Sequence, residues 1–135
     1  MNYLSLVGAS DSEHFTQSEI NNLISGVNAL NNEHVSRICG TRFRGLSISH
    51  RDWLKLNLIR NKNRLIFDEF FEDIDILLTP ATGSPAFKHD HNGPRYSRFL
   101  TINGKKYPEM AQLFWSGYSG VVGLPSVVGP IGQIK

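Results

Sequence analysis

Apolar side chains recur every three or four positions within residues 46–72, and this is the clearest pattern in the chain. Ser49 and Asp52 precede most of it, spaced like the capping residue and the third residue of an α-helix. The pattern predicts one long helix with a wide, aromatic buried stripe. The positions in that stripe are Trp53, Leu56, Ile59, Asn63, Phe67 and Phe70.

A second helical pattern covers residues 1–45. Asp11 or Ser12 can cap a helix that runs to about Leu30, because apolar residues there recur mostly at helical spacing. A shorter helix is predicted over residues 32–44. Glycines near its C-terminal end leave its limits open, since glycine weakens a helix.

The pattern changes after residue 73, where a short run becomes apolar at consecutive positions. Residues 75–79 read Asp-Ile-Leu-Leu-Thr, and Pro80 follows them. A strand covered on both faces loses the alternation of polar and apolar residues, and proline ends it. Residues 126–128 are predicted to form another short strand. A helix that leads into a buried strand is typical of an α/β protein.

The segment between these two strands contains a hairpin signal and a further helix. Residues 99–108 have partly alternating character, and Asn103-Gly104 in their middle favours a tight turn. Residues 109–122 can form a helix, in which Gly117 and Gly120 either lower stability or permit close backbone approach. The chain is therefore interpreted as a single domain. Its parts are 1–45 (helical), 46–72 (long helix) and 73–135 (strand, loop, hairpin, helix and strand).

Composition narrows the class of function. The 135 residues are 40% apolar, which suits a folded globular domain. The formal charge of +2, from 14 basic and 12 acidic residues, is too small to predict nucleic-acid binding. No apolar run approaches a membrane span, and residues 1–7 lack the basic start of a signal peptide, so a cytoplasmic protein without a membrane partner is expected. Cys39 cannot form an internal disulfide and is expected in the core.

Few residues in the sequence are candidates for catalysis or for metal binding. His89-Asp90-His91 carries metal-binding groups, but no third ligand can be assigned, so no metal site is predicted. Ser49 next to His50 is better explained as a helix cap than as a nucleophile. Gly117-Tyr118-Ser119-Gly120 resembles a nucleophile elbow, but Val121 stands where that motif has glycine, which favours helix packing. No nucleotide or cofactor motif is present, so no cofactor is expected.

A series of short motifs follows in order between about residues 50 and 130. They are His50-Arg51-Asp52-Trp53, the segment Phe70-Phe71-Glu72-Asp73-Ile74-Asp75-Ile76-Leu77-Leu78-Thr79-Pro80, His89-Asp90-His91, Asn103-Gly104, Trp115 and Gly123-Leu124-Pro125. In this order and spacing, the series resembles the C-terminal part of the amidase signature family. Those enzymes hydrolyse amides with a serine, a cis-serine and a lysine.

This resemblance implies a fold and a partner. The fold would be an α/β/α sandwich with a mixed sheet, of which this chain is an incomplete C-terminal fragment that looks truncated at both ends. Its strands would join the larger sheet, and the long helix would cover that sheet. The partner would be the missing N-terminal portion of the amidase. Without it, exposed apolar side chains would favour self-association.

The resemblance also implies a function. The family's Gly/Ser-rich signature and lysine motif are absent from this sequence, so no catalytic residue can be assigned and the chain alone is expected to be inactive. The complete enzyme would cleave the carbon–nitrogen bond of a small-molecule amide. Thr82, His89 and His91 are predicted to border its substrate cleft. The alternative is a non-catalytic interaction module that retains the amidase scaffold.

Overall fold

The structure is a computed structural model that describes residues 2–132. The α-helices are α1 (Asn2–Asp11), α2 (Gln17–Ala29), α3 (Glu33–Val35), α4 (Thr41–Gly45), α5 (His50–Phe70) and α6 (Ser116–Val122). The strands are β1 (Phe99–Ile102) and β2 (Lys105–Pro108). A π-helical segment, Ser36–Gly40, joins α3 to α4, and 3₁₀ segments occur at Ser12–His14, Arg95–Ser97 and Glu109–Phe114.

The predicted helix of the first segment begins later than expected. Thr16 caps α2 by a reciprocal pair of hydrogen bonds: the Glu19 N–H donates to Thr16 Oγ1 (3.3 Å), and the Thr16 N–H donates to the Glu19 carboxylate (2.7 Å). The predicted start at Asp11 or Ser12 is wrong, because Asp11 ends α1 instead. A capping box satisfies two backbone donors at once, which explains why the helix begins at Thr16.

The helical prediction for residues 32–44 is confirmed. The Asn32 side chain accepts a hydrogen bond from the Val35 N–H (3.1 Å) and caps α3. Helical backbone then continues without a break through the π-helical segment to the end of α4.

Helices α1 and α4 cross with their backbones in close contact. A Cβ atom on Gly8 would meet the Arg42 carbonyl oxygen, and one on Gly45 would meet the Ser5 carbonyl oxygen. The Arg42 guanidinium also forms an ion pair with Asp11 at 2.6 Å. The crossing therefore requires glycine on both helices.

A small core joins the helical half to the C-terminal half. Its buried members are Ile20, Val27, Val35, Cys39, Phe43, Leu46 and Met110. The prediction of Cys39 as a core residue is confirmed, since its side chain is fully buried and its thiol donates to the Met110 sulfur at 3.3 Å. Met110 lies in the 3₁₀ segment that follows the hairpin, so this contact fixes that segment on α2–α4.

The long helix is confirmed, and four residues of its predicted stripe are half-buried rather than buried: Trp53, Leu56, Asn63 and Phe67. Ser49 caps α5 by accepting from the Asp52 N–H at 3.1 Å, as the spacing predicted. No residue of α5 is fully buried, and Ile59 and Phe70 of the predicted stripe are 40% and 37% exposed. The helix therefore packs on its neighbours along one side only.

The predicted α/β/α sandwich with a mixed sheet is wrong. In the part of the chain that the structure describes, the sheet consists of β1 and β2 alone, paired antiparallel. Residues 75–79 and 126–128 are irregular, and Leu78 and Val127 are 89% and 97% exposed. An apolar strand needs hydrogen-bonding neighbours and cover on both faces, and these segments have neither among the described residues.

The hairpin and the helix after it are confirmed. Phe99 pairs with Pro108 and Ile102 with Lys105, and the turn between them places Asn103 and Gly104 at φ of 50° and 76°. Two successive positive φ values match the turn type that Asn-Gly favours. Within residues 109–122, a 3₁₀ segment precedes α6.

Helix α6 packs on α1 through its glycines. A Cβ atom on Gly120 or Gly117 would lie 3.0 Å or 3.2 Å from the Tyr3 ring. The expected packing role of this segment is confirmed. No helix within residues 2–132 is long and apolar enough to cross a membrane.

Candidate functional site

The three predicted cleft residues lie on the irregular segment between α5 and the hairpin, and all are exposed. Thr82 Oγ1 donates to the Ser84 carbonyl oxygen at 2.6 Å. The rings of His89 and His91 are stacked, with centroids 5.9 Å apart and planes 10° from parallel. The structure thus brings the two histidines together. The Thr82 hydroxyl instead forms a hydrogen bond within its own turn.

Asp90, which lies between the two histidines in the sequence, forms hydrogen bonds within its own loop. Its carboxylate accepts from the Asn92 N–H at 2.9 Å and from the Asn92 side-chain amide at 3.0 Å. The backbone hydrogen bond in particular holds the pKa of Asp90 below its usual value. Within residues 2–132, no group of three or more His, Cys, Asp or Glu side chains is arranged to hold a metal ion.

A side-chain amide attaches the start of this loop to the rest of the molecule. Gln112, in the 3₁₀ segment before α6, accepts through Oε1 from the Gly83 N–H at 2.9 Å and from the Ser84 hydroxyl at 3.3 Å. These bonds hold residues 82–84 beside the 3₁₀ segment that contains Gln112, although most of the loop is in contact with solvent.

The side chains that could act as nucleophiles are otherwise occupied. The Ser49 hydroxyl caps α5 and donates to the Asp52 carboxylate at 2.8 Å. Burial raises the pKa of the Cys39 thiol to about 11, so the reactive thiolate is scarce at neutral pH. The Ser119 hydroxyl, in the segment that resembles a nucleophile elbow, makes a long bond to the Ser116 carbonyl oxygen (3.5 Å). Neither Cys39 nor Ser119 contacts a base among the described residues, and the carboxylate that Ser49 meets is itself paired with Lys55 at 2.7 Å.

A shallow groove of about 460 Å³ lies between α1, the end of α4 and the first turns of α5. The side chains that line it include Leu6, Ser10, Leu46, His50, Trp53 and Arg60. The His50 and Trp53 rings stack with centroids 6.1 Å apart. The residues expected at the cleft are not among those that line this groove.

Arg60 gives the groove its charge. Its side chain is half-buried, and its Nε is buried without a hydrogen-bond partner among the described residues. A guanidinium with free donors suits a carboxylate or phosphate group. Arg60 lies on the same side of α5 as Trp53 and Leu56, which are also half-buried. The spacing of residues 53, 56 and 60 is the sequence signal that could have shown this shared side of the helix.

Exposed apolar side chains are the most extensive feature of the surface. They fall on α5, on the segment after it, and near the C-terminal end of the described chain. The most exposed of these are Leu58, Leu65, Ile66, Ile76, Leu78, Val127, Val128 and Ile131, and Phe114 in the 3₁₀ segment before α6 is as exposed as Leu58. Such surface is typical of contacts with another chain. Comparisons with family models, curated proteins and solved structures found no match to this chain.

Proposed function

We propose that this chain is the C-terminal part of an amidase-family hydrolase acting on carbon–nitrogen bonds, and that it is inactive alone. The support from sequence is the ordered series of motifs from His50 to Pro125. The support from structure is the exposure of apolar segments that have no partner within residues 2–132.

The main structural support for this proposal comes from the segment after α5. Ile76 and Leu78 are 71% and 89% exposed, although they belong to an almost continuously apolar run. Burying an aliphatic side chain stabilises a fold by about 1.5–3 kcal/mol, so leaving several of them in water forgoes a large stabilisation. A second polypeptide that covers them would recover it. The N-terminal portion of an amidase is the partner that the motif series indicates.

Amide hydrolysis explains why both parts would be needed. The attacking serine must lose its proton through the cis-serine to the lysine, and backbone N–H groups must hold the oxyanion. The resemblance assigns these groups to the N-terminal part. The contribution of this chain is a loop that borders the cleft, with Thr82, His89 and His91 as the side chains nearest the substrate.

The test is a complementation assay. The purified chain, an N-terminal amidase fragment containing the Gly/Ser-rich signature, and their mixture are each incubated with a panel of small amides, and ammonia or amine release is measured. We expect activity in the mixture alone. Activity of this chain by itself, or full activity of the N-terminal fragment by itself, contradicts the proposal.

A matched pair of variants identifies the docking segment. Leu78→Asp places a charge in the apolar run after α5 and is expected to abolish complementation. Leu58→Asp makes the same chemical change at an exposed leucine of α5 and is expected to retain it. Equal effects of the two variants contradict the assignment of this segment as the contact.

The second candidate is a non-catalytic interaction module, which the same exposed surface favours. It predicts a stable complex with another protein chain and no amide hydrolysis in any mixture. Size-exclusion chromatography of the mixture, run beside the activity assay, separates the two functions. Complex formation without turnover supports the module.

A further inference from the structure

The groove between α1, α4 and α5 holds a positive charge that the described residues do not neutralise. Arg60 Nε is buried without a hydrogen-bond partner, and the ion pairs among the described residues do not include Arg60. The residues one turn away on α5 are Leu56, Asn57, Asn63 and Arg64, and none of them is acidic. No Asp or Glu is among the described residues that line the groove. An anion that enters the groove therefore meets a guanidinium without a competing carboxylate.

The terminal nitrogens of Arg60 are the donors that a ligand can reach. Nε is buried, whereas the two Nη groups are in contact with solvent. They present parallel N–H donors, from which the two oxygens of a carboxylate can accept. One guanidinium balances the whole charge of a carboxylate but only part of the charge of a phosphate monoester. A carboxylate is therefore the anion that this site favours.

A flat aromatic surface lies in the same groove. The stacked rings of His50 and Trp53 are 12° from parallel, and both residues line the groove. Trp53 and Arg60 are seven positions apart, which places them on one side of α5 at about 10.5 Å along its axis. Side chains on a helix lean toward its N-terminus, so the Arg60 side chain extends in the direction of Trp53. One small molecule can therefore contact the aromatic surface and the cation together.

We propose that this groove binds a small molecule that carries a carboxylate on a flat aromatic body. The carboxylate accepts hydrogen bonds from the Arg60 Nη groups, and the aromatic body packs on Trp53 and on the aliphatic side chains of Leu6 and Leu46. The groove volume of about 460 Å³ lies in the range of small-molecule sites. Because the groove is shallow, a dissociation constant of about 1 mM is expected. The predicted cleft residues do not line this groove, so the inference does not rest on the proposed function.

A nuclear magnetic resonance titration of the whole chain with cinnamate tests the proposal. We expect the Trp53 indole N–H and Arg60 Nε–H signals to shift progressively, while the indole N–H signal of Trp115, which does not line the groove, stays in place. Cinnamamide has nearly the same shape without the charge and should bind about tenfold more weakly, because the hydrogen bonds to a charged acceptor are lost. Cinnamyl phosphate should bind no more tightly than cinnamate.

A matched pair of variants assigns the cation. Arg60→Gln removes the charge but keeps a polar side chain, and it should weaken cinnamate binding about tenfold while leaving cinnamamide binding unchanged. Arg64→Gln makes the same change at an exposed residue one turn further along α5 and should bind cinnamate like the wild type. Circular dichroism of both variants should show unchanged helicity, since Arg60 has no ion-pair partner among the described residues.

Three results overturn the proposal. The first is a Trp53 signal that cinnamate does not shift, or that cinnamate and cinnamamide shift with equal affinity. This comparison uses the wild-type chain, so it holds even if Arg60→Gln does not fold. The second is equal binding of cinnamate by Arg60→Gln and Arg64→Gln. The third is tighter binding of cinnamyl phosphate than of cinnamate, which would assign the groove to phosphates instead.

Discussion

The crossing of α1 and α4 offers the sharpest test of the packing. Replacing Gly8 by alanine adds a methyl group that meets the Arg42 carbonyl oxygen and lies 3.1 Å from the Gly45 Cα. Both contacts are with backbone, so no side-chain rotation relieves them and the helices must move apart. Overpacking of this kind costs up to about 3 kcal/mol, whereas alanine gains about 1 kcal/mol of helix propensity over glycine. The net destabilisation is about 2 kcal/mol.

Urea unfolding followed by far-ultraviolet circular dichroism measures this loss. Gly40 is the matched control, because it is also a buried helical glycine, but its added Cβ would meet only the flexible end of Arg44, at 3.0 Å. Gly40→Ala should leave the free energy of unfolding unchanged or raise it by up to about 1 kcal/mol. If Gly8→Ala proves as stable as Gly40→Ala, the close crossing of α1 and α4 is refuted.

A double-mutant cycle strengthens the same test. A Cβ atom on Gly45 would meet the Ser5 carbonyl oxygen and lie 2.9 Å from the Ser5 Cα, so Gly45→Ala should also destabilise the fold. The same separation of the helices relieves both clashes. The double variant should therefore lose about 1 kcal/mol less than the sum of the single losses. Additive losses would show that the two glycines do not share one crossing.

Three further predictions concern the thiol, the capping groups and the hairpin. Because burial raises the pKa of Cys39 to about 11, a thiol reagent at neutral pH should label it only as fast as the protein opens, and immediate labelling of folded protein would contradict this. Hydrogen bonds from Thr16 lower the pKa of Glu19 below its ordinary 4.5 in the folded state, so the stability that Glu19 contributes is present above pH 4.5 and is lost as the pH falls through the lowered value. Urea unfolding of Glu19→Gln across this pH range should show a smaller acid loss than the wild type. Gly104→Ala should destabilise the hairpin by about 1 kcal/mol, because φ of 76° is strained for alanine, and unchanged hairpin shifts in nuclear magnetic resonance spectra would argue against it.

Two predictions that depended on neighbouring residues in the sequence succeeded. The cap of α5 at Ser49 and the Asn103-Gly104 turn each involve groups within four positions of one another, so the sequence alone carries the information. The sequence prediction contains no separate helix before Asp11, since Asp11 suits a helix cap, whereas in the structure it ends α1. The capping box formed by Thr16 and Glu19 determines where α2 begins.

Predictions that required distant neighbours failed. The run at residues 75–79 has the composition of a buried strand, but a strand forms only where another strand accepts its hydrogen bonds. None lies beside it in the described chain. Similarly, the groove around Arg60 joins α1 to α4 and α5, which follow much later in the sequence, so the spacing 53, 56, 60 marks a shared side of α5 but not the groove.

The two exposed apolar surfaces lead to separable consequences. The run around Leu78 is irregular in backbone, so covering it requires a partner that supplies both hydrogen bonds and apolar contact. The exposed leucines of α5 instead lie on a helix whose backbone hydrogen bonds are satisfied within it, so covering them needs side-chain contact alone. The run around Leu78 therefore depends more on a partner chain than the leucines of α5 do. Leu78→Asp should accordingly abolish complementation under conditions in which Leu58→Asp retains it.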